Sequence, residues 1–189
     1  VQVKSALESG NHVFVEKPLA LSLKELEGID VTIQSVNKGK TNPLRLMVGF
    51  NRRFAPHILK MKSLLLSRQE PKTIIMTINA GEIPSDHWTQ DPGVGGGRII
   101  GEGCHFIDLM RFLAGSSITD FKVMMIGDVP GADVLDDKVS ICLSFADGSI
   151  GTIHYFANGG KSFPKERIEV FCGGSILHMD NYRVLKGYD

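Results

Sequence analysis

The stretch Gly95-Gly96-Gly97-Arg98-Ile99-Ile100-Gly101-Glu102-Gly103-Cys104-His105-Phe106-Ile107-Asp108-Leu109 limits the possible folds more than any other segment. It reads as a glycine-rich turn running into a helix. At about 100° per residue, Gly101, Glu102, His105 and Asp108 share roughly a third of the circumference. Ile107, Met110 and Leu113 point elsewhere and leave most of the surface apolar. A helix of that kind is buried, so the chain must supply a layer to cover it. Its carboxylates and histidine then need partners inside the protein, or a ligand in a cleft. Two readings stay open: a core helix whose His105 and Asp108 satisfy each other or nearby backbone, or the wall of a site.

The rest of the chain supplies layers in two styles. Residues 1–9 have helical spacing through Val3, Ala6 and Leu7, with Gly10 placed as a C-terminal cap. His12-Val13-Phe14-Val15 reads as a short buried parallel strand, which ends directly in Glu16-Lys17-Pro18. Ser22 with Glu25 three residues on is a capping box for a helix to about Val36. A polar loop leads to a second strand, Leu44 to Phe50, which runs into Asn51-Arg52-Arg53-Phe54. Helix–strand alternation of this kind, part of a βαβ arrangement, holds over 1–52.

From residue 53 the style changes. A helix is expected from Pro56 to about Leu66, with Ile58, Met61, Leu64 and Leu65 on one side. Strands are expected at 73–79, 119–127, 138–146, 149–156, 166–172, 175–180 and 182–186. Asp147-Gly148 reads as a two-residue hairpin turn between Phe145 and Ile150, and Gly173-Gly174 as a second hairpin. The expected result is an α+β domain over 53–189, a largely antiparallel open sheet with the 101–113 helix packed on it. Between its first strand and that helix lies a long Gly- and Pro-containing loop, 81–97. Long loops in compact domains tend to carry function.

Charge excludes some functions. Lys plus Arg and Asp plus Glu both total 21, so no net field draws the chain to nucleic acid or to an anionic membrane. No run approaches the ~18 apolar residues of a membrane span, and no signal-peptide pattern is present. Cys104, Cys142 and Cys172 are far apart with no Cys-x-x-Cys, which fits a reducing, cytoplasmic setting rather than a disulfide framework or a structural zinc site. His57, His154 and His178 lack metal-ligand spacing, so no metal is expected. The chain opens at Val1 within a helical pattern and without an initiator methionine, and is read as a portion of a longer protein.

Several residues are suited to chemistry. Lys17 follows the carboxyl end of a parallel strand, where open α/β sheets bind ligands, and Pro18 restricts its backbone to extended conformations. Such a lysine can donate to a substrate hydroxyl or carbonyl, although Glu16 and Lys17 taken alone also read as ordinary loop charges. Arg52 and Arg53 are candidates for a substrate carboxylate or phosphate, or for surface acids. His87 and Trp88 are candidates for lining a pocket, Trp88 as a stacking platform or as a plug at a sheet edge. Cys104 and His105 diverge by about 100° on a helix and make a poor nucleophile–base pair.

Three segments together resemble one family. Gly10-Asn11-His12-Val13-Phe14-Val15-Glu16-Lys17-Pro18-Leu19-Ala20 resembles the Glu-Lys-Pro segment of the Gfo/Idh/MocA oxidoreductases. Gly49-Phe50-Asn51-Arg52-Arg53-Phe54 resembles their next strand and its arginine turn. Gly95 through His105-x-x-Asp108-Leu109 resembles their glycine-to-histidine helix. The variety fused behind a zinc-type alcohol dehydrogenase module is suggested by Asp86-His87-Trp88 and Gly101-Glu102.

The resemblance implies that 1–52 is the last part of a Rossmann domain and 53–189 a substrate-binding and oligomerisation domain. It implies hydride transfer between NAD or NADP and a sugar, cyclitol or related polyol, in a homo-oligomer paired through the open sheet. Lys17 would be the active-site lysine near the nicotinamide, His105 the acid/base, and Glu16, Pro18, Glu102 and Asp108 their support. Two departures stand out. Where many members carry Asp one turn before the histidine, this chain has Gly101; Glu102 beside it, or Asp108 orienting His105, is the expected substitute. No Gly-x-Gly-x-x-Gly lies between a strand and a helix, so pyrophosphate contacts are expected outside this sequence, with Gly93–Gly97 a weak phosphate-cradle candidate. A non-catalytic binding or assembly domain that keeps the fold is the alternative.

Overall fold

The computed structural model describes residues 2–127, 134 and 136–189; Val1, at the start of the first expected helix, lies outside the described residues. Helix α1 (Gln2–Glu8) stops at Gly10, whose left-handed φ of 82° no side chain favours and whose N–H closes on Leu7 O at 2.9 Å. Strand β1 (Val13–Val15) lies parallel to β2 (Leu46–Val48), Val13 opposite Leu46 and Val15 opposite Val48. The connection between them is α2 (Leu23–Asn37), which starts on the expected capping box. Glu25 N–H donates to Ser22 Oγ at 3.3 Å, and the Glu25 carboxylate accepts from Leu21 N–H at 2.9 Å. Val3, Leu7 and Ile29 form the small core of this α/β part, with Val13, Val15 and Leu46 packed on it.

A 3₁₀ turn (Asn51–Phe54) leads into α3 (Pro56–Leu65), which has proline at its first position. Ile58, Met61 and Leu65 are buried, but Leu64 is 40% exposed. At about 100° per residue it falls some 60° outside the stripe that the other three define.

The larger part is a seven-stranded sheet in the order β4-β5-β6-β3-β7-β8-β9. Its strands are β3 (Thr73–Asn79), β4 (Ile118–Met125), β5 (Lys138–Phe145), β6 (Ile150–Phe156), β7 (Glu166–Cys172), β8 (Ser175–Asp180) and β9 (Val184–Tyr188). Only the central β3–β6 pair is parallel; every other neighbour is antiparallel. The period-2 pattern decides the faces: Ile74, Met76 and Ile78 point into the core, as do Ile153 and Tyr155 of β6. Onto that face packs α4 (Cys104–Ala114), burying Phe106, Leu109, Met110 and Leu113 almost completely. The α+β architecture with a largely antiparallel open sheet is therefore as expected.

Three local expectations need correction. The expected helix at 101–113 is not α-helical throughout: Ile99–Gly103 forms a π-helical turn, in which Cys104 N–H reaches Ile99 O, and α4 begins after it. The turn after β5 is a three-residue loop. Gly148 N–H bonds Phe145 O, Phe145 N–H bonds Ser149 O, both at 3.0 Å, and Gly148 takes the left-handed position of a bulge (φ 83°). Finally, β9 starts at Val184 because Asn181 and Tyr182 both have positive φ, 48° and 55°, and turn the chain. Among the described residues no helix is long and apolar enough to cross a membrane.

The sheet and α4 meet most closely at Gly151. A Cβ there would stand 2.2 Å from Met110 Sδ and 2.9 Å from its Cε. Gly151→Ala is expected to destabilise the chain by about 1–3 kcal/mol through overpacking, and Met110→Ala by about 2–5 kcal/mol through a cavity. The double variant should cost less than the sum, because each change answers the other; urea unfolding of the four proteins in the cycle measures this.

Candidate active site

The parallel pair β1–β2 ends on the side where α4 begins, and this brings Lys17 to the π-helical turn. Lys17 Nζ donates to the backbone carbonyl of Gly101 at 2.6 Å. The acceptor is a backbone carbonyl, not the carboxylate expected one turn before His105 from the family resemblance. The Lys17–Pro18 peptide is cis. Around Lys17 opens a cavity of about 360 Å³, whose polar walls include Arg52, Arg98, Glu102 and His105 and whose mouth carries Trp88 and Val94.

His105 reaches this cavity from the first turn of α4. It is 4% exposed, its ring stands edge-on to Phe50 with centroids 5.9 Å apart, and its Nδ1 is buried without a hydrogen-bond partner. Burial, reinforced by the positive charges of Arg52 and Lys17, lowers its pKa to about 4. At neutral pH it is an uncharged imidazole able to accept a proton.

Glu102 is not a substitute for an aspartate at position 101. Its Oε2 accepts from Tyr155 Oη at 2.5 Å and Arg98 Nη2 at 3.0 Å, and its Oε1 from Lys165 Nζ at 2.7 Å. Burial pushes its pKa up, but the hydrogen bonds from Lys165 and Tyr155 outweigh that and hold it at about 2. Glu102 is thus a permanent anion that organises donors. Arg98, 5% exposed, also bonds the carbonyls of Gly81 (3.0 Å) and Ala80 (3.3 Å) and Tyr155 Oη (2.9 Å).

The arginine turn splits. Arg52 lines the cavity, lies over the Phe106 ring and pairs with buried Glu166 through Nε (3.1 Å) and Nη2 (2.7 Å). Arg53 faces away and grips Asp108 with Nε at 2.5 Å and with Nη2. The expected Asp108–His105 bond is therefore not formed; Asp108 spends both oxygens on Arg53.

The remaining candidates also separate. Pro18 and Trp88 line the cavity, and Trp88 is 61% exposed rather than plugging a sheet edge. His87 does not reach it: its Nδ1 caps the 3₁₀ turn Trp88–Gln90, 2.9 Å from Thr89 Oγ1. Glu16 is exposed and lies beside Gly49, where an added Cβ would stand 3.1 Å from its carboxylate. Burial pushes the Cys104 thiol up, which removes it as a nucleophile.

The glycine run is no phosphate cradle. The N–H groups of Gly95 and Gly96 both close on Asp91 O, at 2.8 and 2.9 Å, and Gly93 N–H closes on the Asp91 carboxylate at 2.7 Å. Gly95 is required for close packing, since a Cβ would lie 2.4 Å from Thr89 Cα. Among the described residues no three His, Cys, Asp or Glu side chains gather into a metal-binding group.

Residues 70–176 match the GFO/IDH/MocA C-terminal domain model, more than half of the chain. The chain belongs to the Gfo/Idh/MocA family. Among curated proteins it is 28% identical over 186 residues to an uncharacterised oxidoreductase, YrbE, of Bacillus subtilis, covering 96% of this chain and 52% of that protein. It is 26% identical over 185 residues to the myo-inositol 2-dehydrogenase of Thermotoga maritima, covering 96% and 53%. A crystal structure of an oxidoreductase domain protein from Kribbella flavida shares the fold with a TM-score of 0.78, at 24% identity over 99% of this chain and 55% of that one. The chain thus spans about half the length of the curated relatives it matches.

Arg98, Tyr155, Lys165 and Glu166 were not singled out by the sequence. Arg98 alone left a trace, four residues before Glu102 on one helical face. In this Gfo/Idh/MocA chain the depressed His105 pKa has a signed consequence. The unfolded chain binds the His105 proton near pH 6.5 and the folded chain only near 4, so stability rises with pH across that window and is complete above it. His105→Asn is expected to flatten that part of the profile, read from urea midpoints between the two pH values.

Proposed function

We propose that this chain is the catalytic wall and substrate domain of an oxidoreductase that moves a hydride between NAD or NADP and a hydroxyl-bearing carbon of a sugar, cyclitol or related polyol. One observation carries the reading. Lys17, from the end of a parallel strand, and His105, from the start of α4, face one cavity large enough for a six-carbon ring. The kinship with a myo-inositol 2-dehydrogenase supports it.

The residues present fit one end of the cofactor. The crevice outside the carboxyl ends of β1 and β2, bordered by Lys17 and Pro18, suits a nicotinamide ring. The N–H groups of Gly93, Gly95 and Gly96 are spent on Asp91, so no pyrophosphate site is assigned to the described residues. When bound, the nicotinamide supplies the hydride acceptor.

The protein's own part is proton management. Lys17 gives one N–H to Gly101 O, which fixes its ammonium, and keeps others for the substrate hydroxyl. A cation there stabilises negative charge developing on that oxygen. His105, neutral at working pH, accepts the hydroxyl proton. Trp88 offers an apolar face for a ring at the mouth. Arg52 and Glu102 complete the wall.

For the polypeptide that the whole reading frame encodes, Lys17→Ala and His105→Ala are each expected to lower NAD(P)-linked turnover of a sugar and cyclitol panel by about 10²–10⁴-fold. Circular dichroism should stay unchanged. Full activity in either variant, or none in the parent across the panel, would refute the reading.

The outer face of the sheet supports a homo-oligomer. Ile150, Thr73 and Phe171 lie in register across β6, β3 and β7, and Ile150 and Phe171 are 54% and 36% exposed. Sedimentation of Phe171→Lys should show a smaller species than the parent; an unchanged species would count against this face. Three free cysteines accord with a reducing compartment, which we take to be the cytoplasm.

A further inference from the structure

We infer that the substrate is a polyhydroxylated carboxylic acid, a sugar acid or carboxylated cyclitol whose carboxylate lies close to the carbon that reacts, held by Lys17 and Arg52. The inference rests on the dehydrogenase reading and narrows it.

Charge does not balance at the cavity wall. Three cations line it, Lys17, Arg52 and Arg98, against one carboxylate, Glu102. Glu102 is already shared between Arg98 and Lys165, Arg52 Nη2 stands 3.9 Å from it, and Tyr155 takes a further lone pair. Behind the wall, Glu166 is matched to Arg52 through both of its oxygens. Lys17 has a neutral carbonyl for a partner. Its charge, and half of the Arg98–Lys165 pair, thus lack a carboxylate. Asp136 stands beside Gly97 but is exposed, where water screens it.

An enclosed wall with surplus positive charge favours an anionic ligand, because low-dielectric walls focus the field into the cavity. His105 reports that field: Arg52 and Lys17 both act to keep it deprotonated. Geometry supplies the donors. Lys17 uses one N–H on Gly101 and keeps two, and Arg52, held by Glu166 through Nε and Nη2, lines the same cavity and adds its charge. A carboxylate near the reacting carbon would meet Lys17 without displacing the hydroxyl, since an ammonium has three donors. A phosphate is disfavoured as the anion, for the N–H groups of Gly93, Gly95 and Gly96 that would cradle it are occupied.

The test uses the polypeptide encoded by the whole reading frame and three matched pairs: D-glucuronate with D-glucose, D-galacturonate with D-galactose, D-gluconate with D-glucitol. Calorimetry should find at least one acid bound about tenfold or more tightly than its neutral partner, with the ratio shrinking as salt rises from ~20 mM to ~500 mM. Lys17→Gln should abolish the preference. Because Lys17 also belongs to the proposed chemistry, the exposed mouth residue gives an independent arm: Val94→Glu should lower the acid-to-neutral ratio, while Val94→Gln keeps it. Neutral partners bound as tightly as every acid, or a ratio unmoved by both Lys17→Gln and Val94→Glu, would overturn the inference. The two readings fail differently: acids bound without NAD(P)-linked turnover would sink the dehydrogenase, and turnover of neutral polyols without preference for acids would sink only the carboxylate.

Discussion

The clamp on Glu102 is the constraint on which the site depends. One carboxylate draws donors from the start of the helical segment (Arg98), from near the end of β6 (Tyr155) and from the approach to β7 (Lys165). Arg98 then ties the same knot to the end of β3 through the Ala80 and Gly81 carbonyls. Four segments far apart in sequence are fixed around one anion. A buried charge with fewer partners would cost several kcal/mol; here the lone pairs are taken up, so the ion is tolerated and its position is determined.

The helical segment under the clamp is not uniform. Glu102 and His105 line the same cavity, and the backbone leading to them is the π-helical turn at Ile99–Gly103. A regular α-helix would place Gly101 and His105 on one stripe with Glu102 about 100° away. The wider turn aims the Gly101 carbonyl at Lys17 instead. Glycine at 101 and 103 relieves crowding there: a Cβ on Gly103 would press on Ile99 at 3.3 Å.

Local periodicity made most of the fold legible. The capping box at Ser22, the stripe on α3 and the alternation of β3 and of β5 to β8 each depend on neighbours in sequence, and each formed nearly where the pattern placed it. What escaped was non-local. Arg53 and Asp108 are 55 residues apart and Arg52 and Glu166 are 114 apart, so no spacing rule pairs them. The clamp shares that property. The π turn escaped for another reason, since a pattern read at a fixed 100° cannot register a change of pitch. His87 was misplaced because it serves its own turn, a use its type permits and its neighbours did not announce.

That Lys17 has a carbonyl and not a carboxylate for a partner matters beyond one contact. A carboxylate beside Lys17 would neutralise its charge and would titrate; the Gly101 carbonyl does neither. The ammonium keeps its full field on the cavity, and that field adds to burial in holding His105 neutral. Protonation of the wall is then insensitive to pH across the neutral range: Glu102 stays ionised down to about 2, and His105 stays neutral down to about 4. The two groups that could trade protons are held more than two pH units below neutrality by opposite means, donors for the acid and burial with cations for the base. A proton arriving at His105 is therefore released readily, which is what the proton transfer proposed for this site requires.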